Sequence, residues 1–219
     1  MNRARKRLIL LGAGDFAREV LWFASEVPAE QRDWDVHGLL DDQPEVARER
    51  LLHYGVHVPV LGRIADYQPQ AGDCFLPAIG SVQGKLKVCE MMRERGAAFT
   101  NLIHPLASVG SGTRLGKGIV LCRHSLITVN CCVGDYVTML PYAVAGHDVV
   151  IEDGCTVATH CAVNGHAHLE RGVFLGSHAV VLPSARVGAM ATVGAGSVVL
   201  KRVPAGATVF GVPAKRIDY

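Results

Sequence analysis

His147 and Asp148, which follows it directly, are the pair of residues in this sequence best suited to acid–base chemistry. An imidazole titrates near neutral pH, so it can take a proton from an amine or hydroxyl that attacks an electrophile. A carboxylate beside the ring can fix its tautomer. The pair therefore predicts a general base at His147 with Asp148 as its neighbour. A solvated histidine in a turn is the alternative.

The glycine-rich string Gly12-Ala13-Gly14, which follows the apolar run 8–11, is a second candidate site. With Ala17 it matches the dinucleotide fingerprint, in which a tight turn at a helix start aims backbone N–H groups at an anion. NAD, a nucleotide diphosphate sugar and a plain strand-to-helix turn all fit this string. Asp41 and Asp42 end the next predicted strand, where they bind a ribose or base, or cap a loop.

The segments around these glycines alternate between strand and helix patterns. Predicted strands lie at 7–11, 34–40, 74–79 and 100–103, and predicted helices run to about residue 27 and over 83–95. Such alternation is typical of a parallel sheet. We therefore expect an α/β N-terminal domain over residues 1–104, with a small Rossmann-like parallel sheet.

A six-residue repeat fills the remainder, residues 105–219. Every sixth residue is aliphatic, as the following series shows: Val109, Leu115, Leu121, Ile127, Val133, Met139, Ala145, Ile151, Val157, Val163, Leu169, Leu175, Val181, Val187, Val193 and Val199. A period of six fits neither a helix nor a long strand. It predicts a coil of short parallel strands with three faces per turn, so that residues eighteen apart stack at about 4.8 Å.

The same arithmetic places the polar residues near the predicted base. The column through His147 continues at Gly165, Pro183 and Lys201, and we expect it to form a groove wall. Asp148 falls between Asn130 and His166, which predicts a polar ladder beside the base. Cys131, Cys155 and Cys161 occupy the small-residue position of the repeat, so we interpret them as structural. No Cys-x-x-Cys spacing occurs, and no metal site is predicted.

Composition excludes several classes of protein. Hydrophobic residues make up 49% of the 219 residues, which excludes a disordered chain, and the net charge of +2 gives no basic footprint for nucleic acid. No apolar run approaches the roughly 18 residues of a membrane span, so we expect no membrane insertion. Seven cysteines, an odd number, favour reduced thiols and a cytoplasmic location.

Taken together, these strings resemble one family over nearly the whole chain. The carriers are the Gly12-Ala13-Gly14 loop, Asp41-Asp42, Ala78-Ile79-Gly80, the hexapeptide repeat, Gly146-His147-Asp148, and the ending Val209-Phe210-Gly211-Val212-Pro213-Ala214-Lys215. They resemble the bacterial sugar acetyltransferases, a family of sialic acid O-acetyltransferases and nucleotide-amino-sugar N-acetyltransferases. The family belongs to the hexapeptide-repeat superfamily, so the resemblance implies a left-handed parallel β-helix.

The resemblance also implies a function. We expect acetyl-CoA as co-substrate, a homotrimer with active sites between subunits, and N-acetylation of a nucleotide-linked 4-amino-4,6-dideoxy sugar for a surface polysaccharide. His147 and Asp148 would be catalytic. The acceptor would be bound by Gly12, Gly14, Arg18, Asp41, Asp42, Gly80, Asn130 and His166. Acetyl-CoA would meet Gly165, Ser177, Ala195, Lys201, Pro213, Ala214 and Lys215.

One departure from the family keeps rivals open. Asp15 stands where the family often has glycine, and its carboxylate would repel a pyrophosphate unless Arg18 offsets it. O-acetylation of free sialic acid, which needs no nucleotide, is therefore the nearest alternative. Remoter ones are an NAD or nucleotide sensor and a γ-class carbonic anhydrase-like enzyme with zinc on His124, His160 and His178.

Overall fold

The computed structural model describes residues 5–217 and contains two compact units. The first unit ends at Pro105, and the second begins at Leu106. Within the described residues, no helix is long and apolar enough to cross a membrane.

The first unit contains a four-stranded parallel sheet in the order β3-β2-β1-β4. Its strands are β1 (Lys6–Leu11), β2 (Trp34–Leu40), β3 (Val60–Gly62) and β4 (Asp73–Pro77). Its helices are α1 (Asp15–Ser25), α2 (Pro44–His53) and α3 (Val82–Glu94), with 3₁₀ turns at Ala29–Gln31 and Ile64–Asp66 and a short β5 at Leu102–Ile103. The Rossmann-like parallel sheet is confirmed; α2 and β3 were not predicted.

The apolar run of β1 explains its central place in that sheet. Leu8, Ile9, Leu10 and Leu11 are all fully buried, as expected for a strand covered on both faces. Helix α1 buries Ala17, Val20, Phe23 and Ala24, which share one helical stripe. The carboxyl end of β1 therefore delivers Gly12 to the sheet edge where parallel sheets bind ligands.

The second unit is a coil of two-residue strands stacked into three faces. The first face holds Ser108–Val109, Leu126–Ile127, Val144–Ala145, Ala162–Val163, Val180–Val181 and Val198–Val199 (β6, β9, β12, β15, β18, β21). The second holds Arg114–Leu115, Cys132–Val133, Val150–Ile151, His168–Leu169, Arg186–Val187 and Arg202–Val203 (β7, β10, β13, β16, β19, β22). The third holds Val120–Leu121, Thr138–Met139, Thr156–Val157, Phe174–Leu175, Thr192–Val193, Thr208–Phe210 and Lys215–Arg216 (β8, β11, β14, β17, β20, β23, β24).

Residues eighteen apart pair in parallel, as in Val144 with Ala162 and Ala145 with Val163. The aliphatic residue of nearly every strand points into the dry interior, so the predicted β-helix is confirmed. The cysteines of the small-residue position are buried there, and Cys161 Sγ lies 3.0 Å from the carbonyl oxygen of Gly176. Burial raises the pKa of that thiol to about 11, which supports the structural interpretation.

The register changes once, at the end of the coil. Arg186 pairs with Arg202 and Thr192 with Thr208, sixteen residues apart. The Arg186 N–H donates to the carbonyl of Lys201, whereas the equivalent His168 N–H donates to Ala185. Lys201 therefore lies in the register of Ala185, not below Pro183 as the constant spacing predicted, because the connection after Val199 is two residues shorter.

Candidate active site

His147 and Asp148 lie at the corner of the coil between the first and second faces. Asp148 has a φ of 58°, a conformation repeated at the equivalent Asn130 and His166. His147 Nδ1 lies 2.8 Å from Asp148 Oδ2. A ring nitrogen that donates to a carboxylate carries the proton, so the lone pair is on Nε2. We call this corner the base corner; its members are Asn130, His147, Asp148, Gly165 and His166.

Gly165 provides the space in which Nε2 lies. A Cβ at residue 165 would come 2.5 Å from His147 Nε2 and 2.6 Å from Cε1. The glycine therefore forms the floor under the basic nitrogen, whereas the ring itself is 58% exposed. This is the arrangement that a general base needs, with one nitrogen held and the other open to an approaching substrate.

His166 shares Asp148 with His147. Its Nε2 lies 3.8 Å from Asp148 Oδ2, and its ring meets that of His147 edge to face with centroids 5.0 Å apart. Among residues 5–217, His147, Asp148 and His166 are the one group of three metal-type ligands whose donor atoms lie within 4.8 Å of one another. Asn130 occupies the equivalent exposed corner one turn earlier.

A stack of four rings occupies the corner between the third and first faces. His124, Tyr142, His160 and His178 stack with centroids 4.8–4.9 Å apart and interplanar angles of 4–22°. We call this the aromatic ladder. Its nearly parallel imidazoles do not converge on a point, so within one chain they do not form the zinc site of the carbonic anhydrase alternative.

Ser177 and Ala195 adjoin the aromatic ladder and not the base corner. Ser177 directly precedes His178, and Ala195 directly precedes Gly196, which has the equivalent position one turn later. In one chain the first face therefore separates these two predicted acetyl-CoA residues from Gly165. The sequence arithmetic did not distinguish the two corners.

The chain ending lies against the last turns of the coil. The Gly211 N–H donates to Ser197 Oγ at 3.0 Å, and the Ala214 N–H donates to the carbonyl of Val198 at 2.8 Å. An open cavity of about 390 Å³ is lined there by Val199, Leu200, Lys201, Arg202, Val203, Pro204, Val209, Pro213, Ala214 and Arg216. The structure thus brings Lys201, Pro213 and Ala214 together with Arg202, which the sequence also suggested for the acetyl-CoA phosphates. It adds Arg216 and leaves Lys215 exposed outside the lining.

A larger open cavity of about 490 Å³ lies on the second face. Arg114, Cys132, Glu152, Asp153 and Arg171 supply its polar lining. None of the residues predicted from the sequence as catalytic or binding belongs to it.

In the first unit, Asp41 holds the glycine loop. Its Oδ2 accepts from the Ala13 N–H at 2.9 Å, and its Oδ1 accepts from the Gln43 N–H at 3.0 Å. Gly12 has a φ of 103°, and a Cβ there would come 2.8 Å from Ile79. Asp41 therefore acts on the backbone of the loop, while Asp42 and Gly80 are exposed at the same edge.

The charge of Asp15 is compensated locally. Arg18 Nη2 lies 2.9 Å from Asp15 Oδ1, and the Arg18 guanidinium lies 3.7 Å from the centroid of the Tyr54 ring. Arg50 also approaches the loop, since a Cβ at Gly14 would lie 4.0 Å from its Nη1. Arg50 and Tyr54 were not predicted, because Arg50 lies in α2 and Tyr54 ends it, and α2 itself was not predicted. Pro44 in its first turn was the available signal for that helix.

Comparisons with known proteins agree with this architecture. Residues 7–92 match the family model of the PglD N-terminal domain. PerB from Caulobacter crescentus, in complex with CoA and GDP-perosamine, is 28% identical, with 97% of each chain covered and a TM-score of 0.81. WeeI from Acinetobacter baumannii is 25% identical, with 96% of this chain and 99% of that one covered and a TM-score of 0.79.

The curated relatives match less of the chain. An acyl-[acyl-carrier-protein]–UDP-N-acetylglucosamine O-acyltransferase from Pseudomonas aeruginosa is 39% identical over 108 residues. That match covers 49% of this chain and 42% of the relative, so the chain spans less than half the length of that protein. The chain therefore has a PglD-type N-terminal domain and, over 97% of its length, the fold of the hexapeptide-repeat sugar N-acetyltransferases that its sequence resembles.

Proposed function

We propose that this protein transfers the acetyl group of acetyl-CoA to the 4-amino group of a nucleotide-linked 4-amino-4,6-dideoxy sugar. The observation that carries the proposal is the base corner, where His147 is held through Nδ1 and open at Nε2. The full-length similarity to PerB, a protein crystallised with CoA and GDP-perosamine, supports the same substrate classes.

The reaction at this corner is a direct transfer. The amine nitrogen attacks the thioester carbonyl, and His147 Nε2 takes the amine proton as the carbon–nitrogen bond forms. The tetrahedral intermediate collapses with cleavage of the carbon–sulfur bond, and the imidazolium returns its proton to the leaving CoA sulfur. A backbone N–H of a neighbouring coil would hold the oxyanion. Asp148 keeps the ring in the tautomer that this step requires.

The N-terminal unit, residues 1–104 in our assignment, would bind the nucleotide. The ion pair of Asp15 with Arg18 supports this role, because it removes much of the repulsion that Asp15 would exert on a pyrophosphate. Gly14 and Gly80 leave open space at the sheet edge, Asp42 is exposed for a ribose or base, and Arg50 approaches the loop with a positive charge.

Acetyl-CoA would bind along the coil, residues 105–219, with its phosphates near Lys201, Arg202 and Arg216. A homotrimer would unite the two corners that one chain keeps apart. The first face carries an outward row of apolar residues, namely Leu126, Val144, Ala162, Val180 and Val198. Packing of this face between copies would place Ser177 and Ala195 of one subunit by Gly165 of the next.

The cellular location follows from the same chemistry. Acetyl-CoA is a cytoplasmic metabolite, and none of the seven cysteines is in a disulfide bond. Reduced thiols are typical of cytoplasmic proteins. We therefore place the reaction in the cytoplasm.

The test is a thiol-release assay with acetyl-CoA and a panel of UDP-, dTDP- and GDP-linked 4-amino-4,6-dideoxy sugars and free sialic acid. We expect turnover on one amino sugar. The His147→Asn variant should lose about 10²–10⁴-fold in kcat because the base is absent, with an unchanged mass by light scattering. Turnover on sialic acid alone would assign O-acetylation, and near-normal turnover of the variant would remove His147 from the mechanism.

A further inference from the structure

The base corner holds a donor set that the transfer reaction does not require. His147, Asp148 and His166 come from two successive turns of the coil, and each offers one ligand atom that lies within 4.8 Å of those of the other two. Two imidazoles and one carboxylate are the ligands of many zinc sites and do not suit Mg²⁺ or Ca²⁺, which prefer oxygen. All three side chains are partly exposed, which leaves an open position for water.

The two distances from Asp148 to the imidazole nitrogens fit a small tetrahedral ion. Nitrogen and oxygen ligands lie about 2.1 Å from Zn²⁺, so neighbouring ligand atoms in a tetrahedral site are about 3.4 Å apart. Asp148 Oδ2 lies 2.8 Å from His147 Nδ1 and 3.8 Å from His166 Nε2. Both distances are within about 0.6 Å of the tetrahedral edge, and exposed side chains can adjust by that amount.

The aromatic ladder provides the contrast. Its histidines are exposed, like His166, and occupy the same kind of corner, with backbone φ near 60°. The rings of His160 and His178 stack nearly parallel, at 14°, and no carboxylate joins them in a three-ligand group within the described part of the chain. Exposure and histidine count alone therefore do not make a site here; the convergence on Asp148 does.

We propose that Zn²⁺ binds at His147, Asp148 and His166 and switches off the base. Coordination through Nδ1 uses the lone pair of that nitrogen. The single proton of the neutral His147 ring then resides on Nε2, which becomes a donor and cannot accept the proton of an attacking amine. The ion thus selects the tautomer opposite to the one that Asp148 selects in its absence. The inhibitory consequence rests on the proposed function, whereas the site itself rests on the donor geometry.

Binding is tested first, with metal-stripped full-length protein. Calorimetric titration with Zn²⁺ in a nitrilotriacetate buffer should show about one ion per chain. His166→Gln should weaken this binding at least tenfold. His178→Gln is the matched control, because it removes an exposed histidine with φ 61° where His166 has φ 60°; its affinity should equal that of the wild type. Undiminished affinity in His166→Gln would overturn the site.

Inhibition is tested by chromatography of the acetylated sugar, since free Zn²⁺ also binds the thiol of CoA. Each variant is compared with its own metal-free rate. Zinc should reduce turnover of the wild type and of His178→Gln at least tenfold, reversibly with EDTA, and should affect His166→Gln much less. Full-rate turnover of the zinc-saturated wild type would overturn the inhibitory role. Zinc binding in a protein that acetylates nothing would instead contradict the proposed function and leave the site standing.

Discussion

Gly165→Ala should separate the catalytic role of the base corner from its structural role. The added Cβ would lie 2.5 Å from His147 Nε2, whereas ordinary contacts begin near 3.4 Å. The ring must therefore retreat by about 0.9 Å, the difference between those distances. Because the ring is 58% exposed, it can move towards solvent without disturbing the core.

The expected cost falls on catalysis. A misplacement of about 1 Å at a reacting group costs about 10²-fold, which corresponds to about 2.7 kcal/mol in the activation free energy. The same movement would strain the 2.8 Å contact of His147 with Asp148. Stability should be unchanged or slightly raised, because the φ of Gly165 lies outside the left-handed region and alanine reduces the entropy of the unfolded chain.

The assay measures kcat/KM for the amino sugar together with the free energy of unfolding. Gly84→Ala in α3 is the matched control, since its Cβ would make only ordinary contacts of 3.4–3.6 Å. This control should gain about 0.5–1 kcal/mol in stability and keep its kinetics. If Gly165→Ala folds normally and turns over at the wild-type rate, Nε2 does not need the space above residue 165 and the assignment of the base is wrong.

Three further predictions concern the rest of the molecule. Native protein should react with iodoacetamide at one thiol, the partly exposed Cys132, since the other cysteines are buried and burial raises the pKa of Cys161 to about 11. Intact mass spectrometry should show one added carbamidomethyl group in the wild type and none in Cys132→Ser. Tyr142→Ala should lower the free energy of unfolding by about 1–3 kcal/mol, because it removes two ring stacks of about 0.5–1.5 kcal/mol each, whereas Tyr142→Phe should not. Burial and the hydrogen bond to Asp73 raise the pKa of Tyr67 to about 12, so as the pH rises the Tyr67 hydroxyl loses its proton in the unfolded state before it does in the folded state, and the free energy of unfolding should fall between pH 10 and 12. An equally steep fall in Tyr67→Phe, measured by circular dichroism, would contradict this role of Tyr67.

The coil was predictable because its determinants repeat at short range. The inward aliphatic residue recurs every sixth position, so one register fixes which side chains are buried in every turn. The arithmetic failed only after Val199, where the turn is two residues shorter. Val203 and Val209 carry the new register and could have revealed the shift, which moves Lys201 away from the column of His147.

The N-terminal unit was harder to predict because its second helix has few buried apolar residues. Helix α2 buries only Ala47 and Leu51, so its apolar pattern is too sparse to mark a helix face. Missing α2 meant missing Arg50 and Tyr54 beside the glycine loop. For Asp41 the structure shows the loop-capping alternative. Its bond to the Gln43 N–H is local, whereas its bond to the Ala13 N–H depends on how two strand ends meet and was not predictable from the sequence.

Contacts at three sequence separations fix the position of His147, the proposed base, and they determine how much of its surroundings one sequence can reveal. Asp148 acts from the adjacent residue, and Gly165 acts from one full turn away, so local pattern and stacking arithmetic identified both. The carbonyl of His147 also accepts from the His166 N–H at 3.0 Å, which ties the backbone of the base to the next turn. Ser177, at the other edge of the first face, obeys the same arithmetic, but in the proposed trimer it would approach His147 of a second copy. A spacing rule runs along one coil axis, so it identifies the neighbours of His147 within a chain and contains no information about an adjacent coil.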